Sequence, residues 1–311
     1  MYEEALELIK QYDRIVVHRH TRPDGDAIGA QTGLCALIRD NFPEKKVSAV
    51  GDAPGRYGFV PGSAPETLSD EDFGGALSII LDCSASSLVS DGRYALAART
   101  LRMDHHLFCE KLCDVEIVDT SAESCCGMMA DFAAESSLTV SPQAATALFC
   151  GLVTDSGRFR YDSTDGKTFR RASLLANAGA DIGFVYSGLY TESYENVRRR
   201  AEYVLRIKFT ENGTAYLYNT AEELAASGSN PYGISRGMVG VMADLRGIDK
   251  WVNFTEADGQ VLCEIRSSVY NINPIAVKYG GGGHPKASGC TLKDREEAMK
   301  LLADLDALGK Q

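Results

Sequence analysis

The chain has 311 residues, long enough for two domains that each bury a core. Its 44% apolar and 24% charged residues are the composition of a soluble globular protein. A net charge of −11 opposes tracking along a long polyanion, since sequence-independent nucleic-acid affinity depends on clustered Lys and Arg, so an anionic substrate is expected to be small or held through metal, and no long duplex is expected as a partner.

The first ten residues are acidic and amphipathic, without the basic start and continuous apolar core of a signal peptide. No apolar run approaches membrane-spanning length, so a cytoplasmic location without membrane association is the expectation. Strands are predicted at Arg14 to Val17, Lys46 to Val50, Leu77 to Leu81, Thr100 to Met103 and Val115 to Val118. Helices are predicted at Ala27 to Asn41, Ser121 to Glu135, Gln143 to Val153 and Thr168 to Asn177. This alternation implies an α/β fold with a doubly wound, mainly parallel sheet. Periodicity loosens after Ile182, and Asn196 to Arg206 carries several arginines, which suits an exposed connector. The expected division is therefore a first domain over 1–185, a linker helix over 186–205 and a smaller α+β domain over 206–311. In the latter, Trp251 to Thr255 and Gln260 to Ser267 flank Asp258-Gly259 as a hairpin, and a short helix follows, ending in Gly280 to Gly283. Nine cysteines without a Cys-x-x-Cys pair, several of them inside apolar runs, are expected to be reduced.

All five histidines fall in three places: His18 and His20, His105 and His106, and His284 after the glycines. Taken alone, Pro23-Asp-Gly-Asp26 reads equally as a turn that N-caps the next helix. A calcium loop fails, because Ile28 and Cys35 occupy positions that need ligands. Yet Asp82 ends one predicted strand, Asp104, His105 and His106 end another, and residues just past strand carboxyl ends share the rim where an open α/β sheet binds ligands. Asp155 closes a helix-like segment, a position where the helix dipole disfavours an acid. Asp24, Asp26, Asp82 and Asp155 gathered without cations would repel one another, and divalent metal is the simplest remedy. Carboxylates with imidazoles suit Mn²⁺, with Mg²⁺ or Co²⁺ as substitutes; zinc is less suited, because Cys109 and Cys113 near His106 lack the spacing of a zinc module.

The segments HTRPDGDAIG, LDCS, MDHH and VTDSG, in this order, resemble the first four motifs of the DHH phosphoesterase superfamily, and GGGGHPKASGC resembles the glycine-rich signature of its DHHA1 domain. Together they span His20 to Cys290. Length and layout are similar to the stand-alone oligoribonuclease and 3′-phosphoadenosine 5′-phosphate phosphatase branch and to the related cyclic- and linear-dinucleotide phosphodiesterases. RecJ-type exonucleases and family II pyrophosphatases are the less similar branches. One departure is Ala30, where the family usually has serine.

The resemblance implies two divalent cations, one held by His20, Asp24 and Asp82 and the other by Asp26, Asp82, His105 and Asp155. Two such ions about 3.5 to 4 Å apart can activate water and neutralise charge during in-line displacement at phosphorus. His106 is similar to the family's non-ligand histidine that meets the reacting phosphate, and Asp104 is expected to orient a histidine or to cap the strand. His18 has no ligand role in the pattern and is read as structural. In the second domain, Arg266, Gly281, Gly282, Gly283 and His284 are the expected substrate contacts, with bare glycine amides approaching a phosphate. The substrate is then expected between the domains, a ruler for very short oligonucleotides or dinucleotides hydrolysed to 5′-mononucleotides. Alternatives are a cyclic-dinucleotide phosphodiesterase, a single-strand exonuclease, or a sensor that binds nucleotides without turnover. Tyr186, Tyr190 and Tyr194, at helical spacing, are assigned to packing between domains or in a homodimer.

Overall fold

The structure, a computed structural model, describes residues 1–309. These form two compact units, Met1–Thr191 and Glu192–Gln311, of which the last two residues are outside the description.

The first unit runs α1 (Glu3–Gln11), β1 (Arg14–His18), α2 (Gly25–Asn41), β2 (Lys46–Ala49), β3 (Leu77–Leu81), β4 (Arg99–Asp104), β5 (Val115–Val118), α3 (Cys125–Glu135), α4 (Pro142–Asp155), α5 (Gly166–Asn177) and α6 (Ile182–Tyr190). Its five strands are all parallel, in the order β2-β1-β3-β4-β5. Strand order therefore reverses direction at β1, and the crevice beyond the carboxyl ends of β1 and β3 is where such a sheet takes a ligand. The near-continuous apolar character of Ile15 to Val17 and Leu77 to Leu81 follows from burial on both faces.

Helix α2 is buried along most of its length, with Asp24 as its N-cap. A Cβ built on Gly29 would lie 2.6 Å from the carbonyl oxygen of Ala147, so only glycine lets α4 approach this closely. This close packing brings the end of α4, with Asp155, beside the start of α2, with Asp24 and Asp26. Ala30 is fully buried within the apolar core, so the departure from serine falls on a packing position.

The second unit contains α7 (Tyr194–Leu205), β6 (Lys208–Phe209), β7 (Ala215–Asn219), α8 (Ala221–Ser227), α9 (Pro231–Met238), β8 (Lys250–Ala257), β9 (Gln260–Ser267), α10 (Asn273–Lys278), β10 (Gly282–His284), β11 (Ala287–Leu292) and α11 (Arg295–Ala307). Its mixed sheet has the order β10-β11-β9-β8-β7-β6. Strands β7 and β8 pair in parallel, and the other neighbours pair antiparallel.

The 186–205 segment differs from the expected single helix. Helix α6 ends at Tyr190 and α7 begins at Tyr194 behind its N-cap Ser193, which accepts a hydrogen bond from the Asn196 amide. Tyr186 and Tyr190 therefore share one helix, with ring centroids 5.6 Å apart, while Tyr194 opens the next. No helix among the described residues is long and apolar enough to cross a membrane.

Candidate active site

Five elements of the first unit deliver the acids and imidazoles. His20 lies just past β1, Asp82 just past β3, and Asp104, His105 and His106 at the end of β4. Asp24 and Asp26 sit at the start of α2, and Asp155 is the last residue of α4. The Asp24 carboxylate accepts hydrogen bonds from the amides of Asp26 and Ala27, both at 3.0 Å, so the turn reading and the site reading both hold for this residue.

Three overlapping groups result: His20 with Asp24 and Asp82; Asp26 with His105 and Asp155; and Asp82 with His105 and His106. His20 Nε2 is 3.7 Å from Asp24 Oδ1 and 3.5 Å from Asp82 Oδ2. His105 Nε2 is 3.7 Å from Asp26, 3.4 Å from Asp82 and 3.5 Å from Asp155. All six residues expected to hold metal are thus brought together, with Asp82 between the His20 and His105 ends. None of the groups contains a cysteine.

Three features make this cluster fit divalent metal. His20 Nδ1 faces the carbonyl of Thr21 at 2.8 Å, and His105 Nδ1 faces that of Ala122 at 3.3 Å. A carbonyl can only accept, so each Nδ1 carries the proton and each Nε2 can offer its lone pair among the carboxylates. Asp82 Oδ1 is buried without a hydrogen bond, its imidazole neighbours lying at 3.4 and 3.6 Å. Finally, Asp82 has φ of 53°, a left-handed conformation that costs energy in a non-glycine residue and aims its side chain over the strand end.

Burial and mutual charge displace the proton affinities of these groups. Burial opposes a charged His20, but Asp24 and Asp82 outweigh it and hold the ring pKa up at about 11. His105 is likewise raised to about 10 against its burial, by Asp82 and Asp26. Burial and the neighbouring charge of Asp82 push Asp26 up to about 7. Burial and the charges of Asp26 and Asp82 push Asp155 up to about 9. Asp82 falls below the usual carboxylate range, because His105 and His20 overcome its burial.

Asp26 is also anchored from behind. Its carboxylate accepts from the amides of Cys125 at 2.6 Å and Cys126 at 2.9 Å, the first residues of α3, where the helix dipole favours an anion. Asp104 is fully buried behind the rim rather than exposed to it. It accepts from Arg102 at 2.5 Å and pairs with His106 Nδ1 at 2.8 Å. Arg102, itself fully buried and also 3.6 Å from Glu116, was absent from the sequence-derived site. Its place between the apolar Leu101 and Met103, two residues before Asp104, was the available signal. His18 is buried, with Nε2 3.2 Å from Ser78 Oγ, and lies outside the three groups.

In the second unit, Arg266, Gly282, Gly283 and His284 line one pocket of about 850 Å³. Gly281 departs from expectation. Its amide is already bonded to the Ala276 carbonyl at 2.8 Å, and a Cβ there would lie 2.1 Å from the Gly289 carbonyl oxygen. Gly281 is thus required by packing against β11, with its N–H committed to α10. Sequence reasoning also missed Arg236 and Glu264, which line the same pocket.

The model for the DHH family, N-terminal domain, matches residues 14–152, and the model for the DHHA1 domain matches residues 214–311. The bifunctional oligoribonuclease and PAP phosphatase NrnA of Bacillus subtilis is 33% identical, over 100% of this chain and 99% of its own length. The chain belongs to the DHH phosphoesterase family. The probable bifunctional oligoribonuclease and PAP phosphatase NrnA of Streptococcus mutans is 32% identical, over 98% of each chain. Among solved structures, an exopolyphosphatase-related protein from Bacteroides fragilis superposes with a TM-score of 0.86 at 25% identity, covering 98% of this DHH protein and 94% of that chain.

Proposed function

We propose that this protein is a Mn²⁺-dependent phosphoesterase that hydrolyses very short oligonucleotides and linear dinucleotides such as pApA to 5′-mononucleotides, and that also removes the 3′-phosphate of 3′-phosphoadenosine 5′-phosphate. The observation that carries this reading is the sharing of Asp82 and His105 between overlapping acid and imidazole groups at the sheet's switch point. The two NrnA relatives, matched along their whole length, support the substrate class.

His20, Asp24 and Asp82 would hold one ion, and Asp26, Asp82, His105 and Asp155 the second. When bound, such a pair supplies Lewis-acid charge neutralisation and a water of lowered pKa. The protein's own groups do the rest. Asp104 raises the His106 pKa through its hydrogen bond to Nδ1, which favours the protonated ring that would donate from Nε2 to a leaving oxygen. Arg102 fixes Asp104 and balances its buried charge. The α3 amides keep Asp26 directed into the cluster.

The test is a hydrolysis panel with Mn²⁺: pApA, a five-nucleotide RNA, a long single strand, cyclic di-AMP, 3′-phosphoadenosine 5′-phosphate and pyrophosphate. Turnover of pApA and 3′-phosphoadenosine 5′-phosphate, with the long strand untouched, is expected. Turnover of pyrophosphate alone would overturn the reading.

A further inference from the structure

The pocket of the second unit has a wall that the glycine-rich segment does not supply. Helix α9 contributes Arg236, whose Nε lies 3.5 Å from Glu264 Oε1, while Arg266 Nη2 lies 3.0 Å from Glu264 Oε2. One carboxylate thus sits between two guanidinium groups on the floor of the pocket. Two positive charges against one negative leave this pocket cationic, in a chain whose net charge is −11.

The position of Arg236 is built in. Fully buried Asn253 on β8 donates from Nδ2 to the carbonyls of Ile234 at 3.0 Å and Ser235 at 2.8 Å, fixing the turn of α9 next to Arg236. Asn219 Nδ2 donates to Asn253 Oδ1 at 2.8 Å, which sets the orientation of that amide. Glu264 stands opposite Asn253 in the sheet register, so the carboxylate and the helix anchor share one face. The Arg236 side chain itself is 78% exposed and touches Glu264 through a single loose contact, so moving it costs little.

A phosphate offers the same bidentate geometry as a carboxylate, with more charge and more acceptor oxygens. We propose that Arg236 and Arg266 form a two-guanidinium clamp for the phosphate of a nucleotide, which takes the place that Glu264 holds between them in the free protein. The inference rests on the proposed reading of the chain as a nucleotide phosphoesterase and adds a specificity residue from α9 to it.

The test is titration of the full chain with 5′-AMP and with adenosine, in EDTA so that the acid and imidazole cluster is unloaded. Arg236→Ala is expected to weaken 5′-AMP by about ten- to a hundredfold, the effect of losing a charged hydrogen-bond partner, while adenosine changes less than about twofold. Arg236→Lys, which keeps the charge without the fork, should fall between, and in turnover KM should rise with kcat held. An unchanged 5′-AMP affinity in Arg236→Ala, equal losses for 5′-AMP and adenosine, or no saturable 5′-AMP binding by the wild-type chain each overturns the clamp. Failure of the function reading is separable, because it appears as absence of wild-type hydrolysis with Mn²⁺, whereas the titration involves no turnover.

Discussion

Asp104 Oδ1 lies 2.8 Å from His106 Nδ1, and the other oxygen of the same carboxylate accepts from Arg102 at 2.5 Å. The pair is asymmetric: Asp104 is fully buried, while the His106 side chain is 47% exposed at the rim. A buried acid therefore sets the proton affinity of an imidazole that can reach a substrate.

Asp104→Asn should lower kcat by about a hundredfold with little change in KM, the lower range of general-acid contributions. The sign of the pH effect follows from the direction of the shift. Asp104 raises the His106 pKa, so removing its charge lets that pKa fall. The protonated ring is then lost at lower pH, and the alkaline limb of the kcat profile moves down the scale. Arg102 loses its shorter carboxylate contact and keeps only Glu116 at 3.6 Å, so a parallel loss of stability is expected; a profile measured well below the new melting temperature separates the two effects.

Asp82 is the carboxylate common to the His20 and His105 ends. Asp82→Asn is the informative change, because asparagine tolerates the φ of 53° that alanine would strain. Mn²⁺ stoichiometry by equilibrium dialysis should fall, and activity on every substrate should drop by more than the roughly 10–100-fold that loss of an outer partner of a metal ligand costs. Full Mn²⁺ occupancy with unaltered activity would contradict a shared ligand.

Metal loading should release protons. His20 near 11 and His105 near 10 are charged at neutral pH in the metal-free protein, as the Asp24, Asp82 and Asp26 contacts overcome burial. Asp155, raised to about 9 by burial and neighbouring charge, is protonated as well. Cations must displace these protons, so Mn²⁺ affinity should weaken steadily as pH falls from about 9 to about 6. Calorimetry in two buffers of different ionisation enthalpy measures the protons released per ion, and a value of zero would exclude this account.

The parallel sheet was legible because β1, β3 and β5 are short, largely apolar runs with β-branched residues, and Asp82 and Asp104 at the ends of β3 and β4 stand where such a sheet binds ligands. Leu77 to Leu81 and Val115 to Val118 have the predicted bounds. What stayed hidden depends on partners distant in sequence. The Asp26 anchor at the start of α3 lies about a hundred residues away, at separations of 99 and 100. Arg102 reads as an outward strand residue until its buried acid partners are seen. Helix α8 carried a usable signal, the Thr220–Glu223 capping box, but both it and α9 are too short for periodicity to declare them. Gly281 was misread because glycine serves close packing as readily as phosphate contact, and only the committed N–H distinguishes the two.

His18 gives a prediction about stability that is independent of metal. Burial lowers its pKa to about 4, below the ordinary value of 6.5, although Asp91 works in the other direction. Between those two values the unfolded chain binds a proton that the folded chain refuses, so the contribution of this group to stability falls as pH drops through 6.5 and levels off near 4. The full loss is about 3 kcal/mol, from about 1.4 kcal/mol per unit of pKa difference. Asp26 and Asp155, raised by burial, oppose this trend in the same chain, so the wild-type curve alone does not isolate it. The comparison with His18→Asn does. Asparagine cannot titrate, and its amide can still meet the Ser78 hydroxyl that lies 3.2 Å from His18 Nε2. Between pH 7 and pH 5, the urea midpoint of the metal-free wild type should drop relative to that of the variant, whichever way the two curves run together. Parallel slopes would mean that His18 takes up its proton without opening the fold.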